Sequence, residues 1–185
     1  SDLDSHGLNM RLDINLEDDT SLDVINISNE SSKSNFLNFR QKINIGKNSV
    51  LKNYSLDINS TSNIKYLYKD INLDQNSHLE YFILSKGSKF AKHDINCSLN
   101  NNHGSIALNG IIDLDNKKHH EIKTVINHNE ENCKSYQLIK SVLSENSKGI
   151  YQGKIYVNSK AQKTDGYQLS RALLLNDDVE FNAKP

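Results

Sequence analysis

The stretch HHEIKTVINHNEENC contains His119, His120, His128 and Cys133, the densest grouping in the chain of side chains able to ligate a first-row metal. Imidazole and thiolate both suit such ions, so His120, His128 and Cys133 are the candidate metal ligands, with His119 beside them. Against that reading, the two cysteines, Cys97 and Cys133, are far apart and no CxxC occurs. That pattern argues against a zinc ribbon and against a disulfide scaffold. A small buried side chain is the simpler account of each thiol, with Cys97 placed near a strand start. The expectation is therefore that no metal is held.

Other chemistry is thinner still. The sequence shows no nucleophile, base and orienting group in a recognisable arrangement, and no catalytic residue is expected. The eight glycines form neither GxGxxG nor GxxxxGK, so no phosphate cradle is readable. Lys163, Thr164 and Asp165 read as a turn, because Thr and Asp side chains satisfy backbone groups in bends. Arg171 is one of three arginines beside 19 lysines. Its planar fork suits a bidentate carboxylate or an interface, and an ordinary surface ion pair is the alternative. Eight tyrosines, Tyr54, Tyr66, Tyr68, Tyr81, Tyr136, Tyr151, Tyr156 and Tyr167, could stack on sugars or bases. With no interleaved arginine and a net charge of -1, nucleic acid is not an expected partner.

The elements that must position these residues follow a repeat. Ser21, Ser49, Ser77, Ser105, Cys133 and Ala161 recur at a step of 28 and are all small. Each follows a polar, turn-like stretch (DDT, GKN, DQN, NHG, EEN, NSK), and the first four precede strand-like stretches. Hydrophobic residues alternate with period 2: Leu12, Ile14 and Leu16; Ile106, Leu108, Ile112 and Leu114 across Gly110; Tyr151, Ile155 and Val157 across Gly153. Two windows, around Leu138 to Leu143 and Leu169 to Leu175, also fit a short amphipathic helix. The repeat runs through both, which assigns them to strands. About six units of two strands and two turns predict an all-β fold, a parallel β-helix (solenoid) whose coils stack about 4.8 Å apart. An antiparallel sandwich would give no reason for the fixed step.

Composition bounds the rest. The 185 residues carry 22 basic and 23 acidic groups, enough chain for one self-supporting domain and no charge excess to seek anionic partners. No apolar run is long enough to span a bilayer and no leader pattern opens the chain, so no membrane is expected and a cytoplasmic location is. The 26 asparagines and the lysine excess match an AT-rich source, for which a plastid-type organelle is the alternative compartment.

The run KGIYQGKIYVNSKAQKTDGYQLSRALLLNDDVEFNAKP closely resembles the core of the SufB/SufD family of the SUF iron-sulfur cluster assembly system, on the SufD side of it. Gly153, Lys154, Ala161, Gln162, Lys163, Thr164, Asp165, Gln168, Leu169, Arg171, Lys184 and Pro185 carry the likeness. His119, His120, His128, Cys133, Ser135 and Gln137 extend it upstream, as do Gly104, Leu108 and Gly110. The resemblance implies a right-handed β-helix flanked by helical regions. Residues 1–185 are then expected to be a single core domain, truncated at its C-terminal end and without those helices. It also implies a functional histidine beyond Pro185, near the SufB–SufD contact. The implied role is a non-catalytic scaffold subunit that pairs with SufB and the SufC ATPase, or forms a homodimer. A cluster would be present only in the assembled complex. An unpaired last coil would favour self-association through that end. The alternative is a free-standing solenoid that binds or cleaves a carbohydrate.

Overall fold

The computed structural model describes residues 7–29, 36–59 and 64–184. Among these, seven strands stack in sequence order as one parallel sheet: β1 (Gly7–Leu16), β3 (Phe36–Ile45), β5 (Ile64–Leu73), β7 (Phe90–Leu99), β9 (His119–His128), β11 (Lys148–Val157) and β13 (Glu180–Lys184). Six more form a second parallel sheet: β2 (Ser21–Asn29), β4 (Val50–Asn59), β6 (His78–Ser85), β8 (Ser105–Leu114), β10 (Lys134–Leu143) and β12 (Asp165–Leu174). The chain passes from one sheet to the other and back once per coil, which is a β-solenoid of about six turns. At the usual strand spacing it rises roughly 30 Å. Both helix-compatible windows are strands, β10 and β12. No helix of the described residues is long and apolar enough to cross a membrane.

Strict alternation produces this shape. In β7, β8 and β9 every second residue is buried along the whole strand. Two such sheets facing each other enclose a single interior, filled by Ile43, Ile71, Leu79, Ile83, Ile95, Leu108, Ile112, Ile122, Ile126 and Ile139 at 0% exposure. Fully burying an aliphatic side chain contributes about 1.5–3 kcal/mol, so this stack supplies most of the driving force.

The repeat is less regular than a step of 28. Paired positions in the first sheet, 7, 36, 64, 90, 119, 148 and 180, advance by 26 to 32 residues. Ser21 consequently pairs with Val50 rather than Ser49, and Ser105 with His78 and Lys134 rather than Ser77 and Cys133. Turn and strand lengths both contribute to the drift: residues 46–49 and 74–77 make four-residue turns, 100–104 make five and 158–164 make seven, and β6 has eight residues where β4 and β8 have ten. Ser49, Ser77 and Cys133 do share the buried corner before a strand, and Gly104 occupies that corner in the coil between the last two. The Ser77 hydroxyl donates to the Asp74 carbonyl at 2.6 Å and Ser49 to the Glu17 carbonyl at 2.8 Å, which satisfies turn backbone that water cannot reach.

Asparagine serves the same corners. Asn48, Asn76 and Asn132 adopt φ of 55°, 55° and 59° two residues before a strand. Asn tolerates this left-handed geometry better than other residues with a side chain. A ladder also runs up the stack, with the amide of Asn44 donating to Asn15 at 2.7 Å, Asn72 to Asn44 at 3.2 Å, Asn100 to Asn72 at 3.2 Å and Asn129 to Asn100 at 2.9 Å. Whatever its origin in codon usage, the asparagine excess thus forms part of the architecture.

Candidate functional site

Each candidate from the sequence has a definite place on the coils. His119 opens β9 and points outward, its ring edge-on to Phe90 at 5.1 Å. His120, the next residue, points into the lumen, and His128 lies inward at the far end of the same strand. Eight residues of extended chain separate the two inward histidines by about 26 Å. His128 Nε2 lies 2.8 Å from Ser135 Oγ, and Cys133 Sγ donates to the Asn101 carbonyl at 3.3 Å. Burial raises the Cys133 thiol pKa and lowers that of His128. The stretch therefore does not close on one ion, and among the described residues no group of three or more His, Cys, Asp or Glu could hold a metal. Cys97 sits near the end of β7 rather than near a strand start, stacked between Ile71 and Ile126, with its thiol pKa raised by burial.

The remaining candidates are peripheral. Lys163 and Thr164 lie in the turn before β12, with Lys163 at φ 56°, and Asp165 opens that strand. Arg171 is exposed on β12 and makes no ion pair among the described residues. Pro185 lies outside them. Tyr81 and Tyr151 point inward, whereas Tyr136 and Tyr167 stack on the outside at 5.0 Å and Tyr66 joins a column with Phe36 and Phe90.

The interior itself contains a polar seam that sequence reasoning missed. At the corner where the second sheet hands over to the first, Lys65 Nζ meets Asp57 Oδ1 at 3.0 Å, both side chains almost fully enclosed. The other Asp57 oxygen accepts from Ser88 Oγ at 3.1 Å. His120 Nε2 lies 2.7 Å from the Ser88 carbonyl, so it must donate there and leave Nδ1 as an acceptor. Ser85 Oγ, 2.8 Å from that Nδ1, then donates to it and accepts from His93 Nε2 at 3.1 Å. The chain of roles ends at His93 Nδ1, which is buried without a partner. Burial first, then the nearby charges of His120, Lys69 and Lys65, push the His93 pKa down to about 3. Desolvation likewise lowers His120.

One layer further along the lumen, Lys69 Nζ donates to Gln41 Oε1 and lies 5.0 Å from the Tyr81 ring centre. Burial pulls its pKa from 10.5 to about 7. Beyond it, Thr124 Oγ1 donates to Gln137 Oε1 at 2.6 Å, and Tyr151 Oη donates to the same oxygen at 3.3 Å. Gly153 opposes Gln168, and a Cβ built on it would stand 2.5 Å from the Gln168 amide oxygen. Two residues of the C-terminal motif are thus coupled across the lumen. A signal for the seam was present in the sequence: Lys65 and Lys69 share the parity of the inward Leu67, Ile71 and Leu73.

With the geometry in hand, the chain can be compared with known proteins. The family model described as "SUF system FeS cluster assembly, SufBD core domain" matches residues 1–185. The iron-sulfur cluster assembly protein SufD of Escherichia coli (strain K12) is 26% identical over 152 residues, which is 81% of this chain and 36% of that protein. The chain therefore spans about a third of the length of this curated relative.

Proposed function

This chain belongs to the family of SufBD core domains of the SUF system for FeS cluster assembly, and we propose that it serves there as a non-catalytic scaffold, pairing with a SufB-type subunit and a SufC-type ATPase. The observation that carries this reading is the family match along residues 1–185. The fold supports it physically. Parallel coils joined by continuous ladders and a filled interior make a stiff rod, and a stiff rod holds bound partners at fixed separation. In this reading the cluster is cargo built at a contact between subunits, so the chain needs rigid faces rather than a nucleophile.

A carbohydrate-binding solenoid has one feature in its favour, the outward column of Phe36, Tyr66 and Phe90 with ring centres 5.9 and 5.7 Å apart. Family membership favours the scaffold. The test is reconstitution: the full-length protein, mixed with the SufB-type and SufC-type proteins of the same source, should elute as one complex in size-exclusion chromatography. Separate elution of all three at micromolar concentrations would refute the pairing.

A further inference from the structure

Two lysines at one corner of the solenoid differ from their neighbours. Lys86 pairs with Asp113 at 2.7 Å and Lys118 with Asp115 at 2.6 Å. Lys89 and Lys117, exposed in the same two turns, make no ion pair among the described residues. The nearby carboxylates are engaged elsewhere: Glu121 meets Lys92 at 3.2 Å and His119 at 3.1 Å, and Glu145 accepts from the Asn116 backbone N–H at 3.2 Å. The outward positions of the first sheet carry eight Lys and Arg against five Asp and Glu, in a chain whose net charge is -1. This face therefore draws anions, although the chain as a whole does not.

The same two lysines border a hollow of about 580 Å³ whose other walls are Ile64, Tyr66, Phe90 and His119. Its place follows from the coils, since Ile64, Phe90 and His119 are register partners at the starts of β5, β7 and β9. Phe90 stands 5.7 Å from Tyr66 at 51° and meets the His119 ring edge-on at 5.1 Å. Rings so tilted form a notch for one planar group rather than a flat platform for a chain of sugars. Ile64 and Tyr66 are exposed, which leaves their surfaces open to such a group. A hollow of this volume, mostly apolar with a few charged groups at its edge, has the build of a small-molecule site. Stacking on an aromatic side chain contributes about 1–3 kcal/mol per base, and lysine holds phosphate as a point charge.

We propose that this hollow binds a nucleoside phosphate, with the base against Tyr66 and Phe90 and the phosphate against Lys89 and Lys117. The aromatic walls select a planar ring, and the two unpaired ammonium groups select the negative charge beside it. No motif announces the site because its lysines come from turns of successive coils and meet only when the coils stack. The site stands apart from the polar seam of the lumen and does not depend on pairing with a SufB-type or SufC-type protein.

The test titrates the full-length protein, in the absence of any partner, with adenosine monophosphate in a calorimeter. One site should saturate, and adenosine or inorganic phosphate alone should bind at least about tenfold more weakly. The double variant Lys89→Ala, Lys117→Ala should weaken adenosine monophosphate by about tenfold and leave adenosine unchanged, whereas Tyr66→Ala should weaken both. All three side chains are exposed, so the variants keep the fold. Crystals of the wild type soaked in a brominated adenosine monophosphate should show an anomalous peak beside Tyr66 or Phe90. No saturable binding, equal affinity for adenosine or for phosphate alone, wild-type affinity in the lysine variant, or no bromine peak in the hollow overturns the proposal.

Discussion

Replacing Lys69 with methionine should stabilise the protein at neutral pH and cease to do so in alkali. The folded protein releases the Lys69 proton near pH 7, whereas the unfolded chain holds it to about 10.5. Unfolding between those values takes up a proton, so wild-type stability rises as pH climbs through that window. At about 1.4 kcal/mol per pH unit the depression corresponds to about 5 kcal/mol of destabilisation at and below pH 7. Methionine has similar reach and no charge, but it orphans the Gln41 oxygen, at about 1–3 kcal/mol, and gives up the contact with the Tyr81 face, at about 1 kcal/mol. The net expectation is a variant more stable by about 2 kcal/mol at pH 6.5 and less stable by about 2 kcal/mol near pH 10.5, where the wild-type amine is neutral and only the Gln41 hydrogen bond is lost. Urea unfolding across that range measures both curves. Two curves that run parallel would refute the assignment of a buried, unbalanced charge to Lys69.

Two further outcomes follow from the same interior. His93 has its folded pKa pushed down to about 3, so the unfolded state binds the extra proton as pH falls below about 6.5 and stability should decline toward pH 3; urea midpoints of His93→Leu should decline less steeply, with His120 and His128 keeping their share. Gly153→Ala sets a Cβ against the Gln168 amide and should destabilise by about 1–3 kcal/mol, with most of the loss recovered in the Gly153→Ala, Gln168→Ala double variant, as a double-mutant cycle would show.

The solenoid was legible because its determinants are local and repeated. Period-2 alternation sets which side chains point inward, and a turn-rich step near 28 residues stacks like upon like. The windows around Leu138 and Leu169 joined that pattern as β10 and β12. What the sequence could not reveal was register. A turn that gains one residue, as at Asn100 to Gly104, shifts every later pairing, so small residues at equal spacing, such as Ser77 and Ser105, need not share a corner. The polar content of the lumen was hidden for a related reason. His120 and His128 look adjacent in a short stretch, yet one extended strand places them at opposite ends of the interior. Lys65 and Lys69 read as surface lysines by type, and only their parity with Leu67, Ile71 and Leu73 marks them as inward. Asp57 and Lys65 meet across the lumen at the handover from β4 to β5, a contact between two strands of opposite sheets that no single strand's pattern displays.

The central claim, that this chain is the core of an iron-sulfur cluster assembly subunit, is tested most directly by depleting the full-length protein in its source cells and measuring the iron and acid-labile sulfide content of an iron-sulfur enzyme purified from them. The account predicts that cluster occupancy falls on depletion and returns on re-expression. Full occupancy in depleted cells, with no other assembly system active, would contradict it.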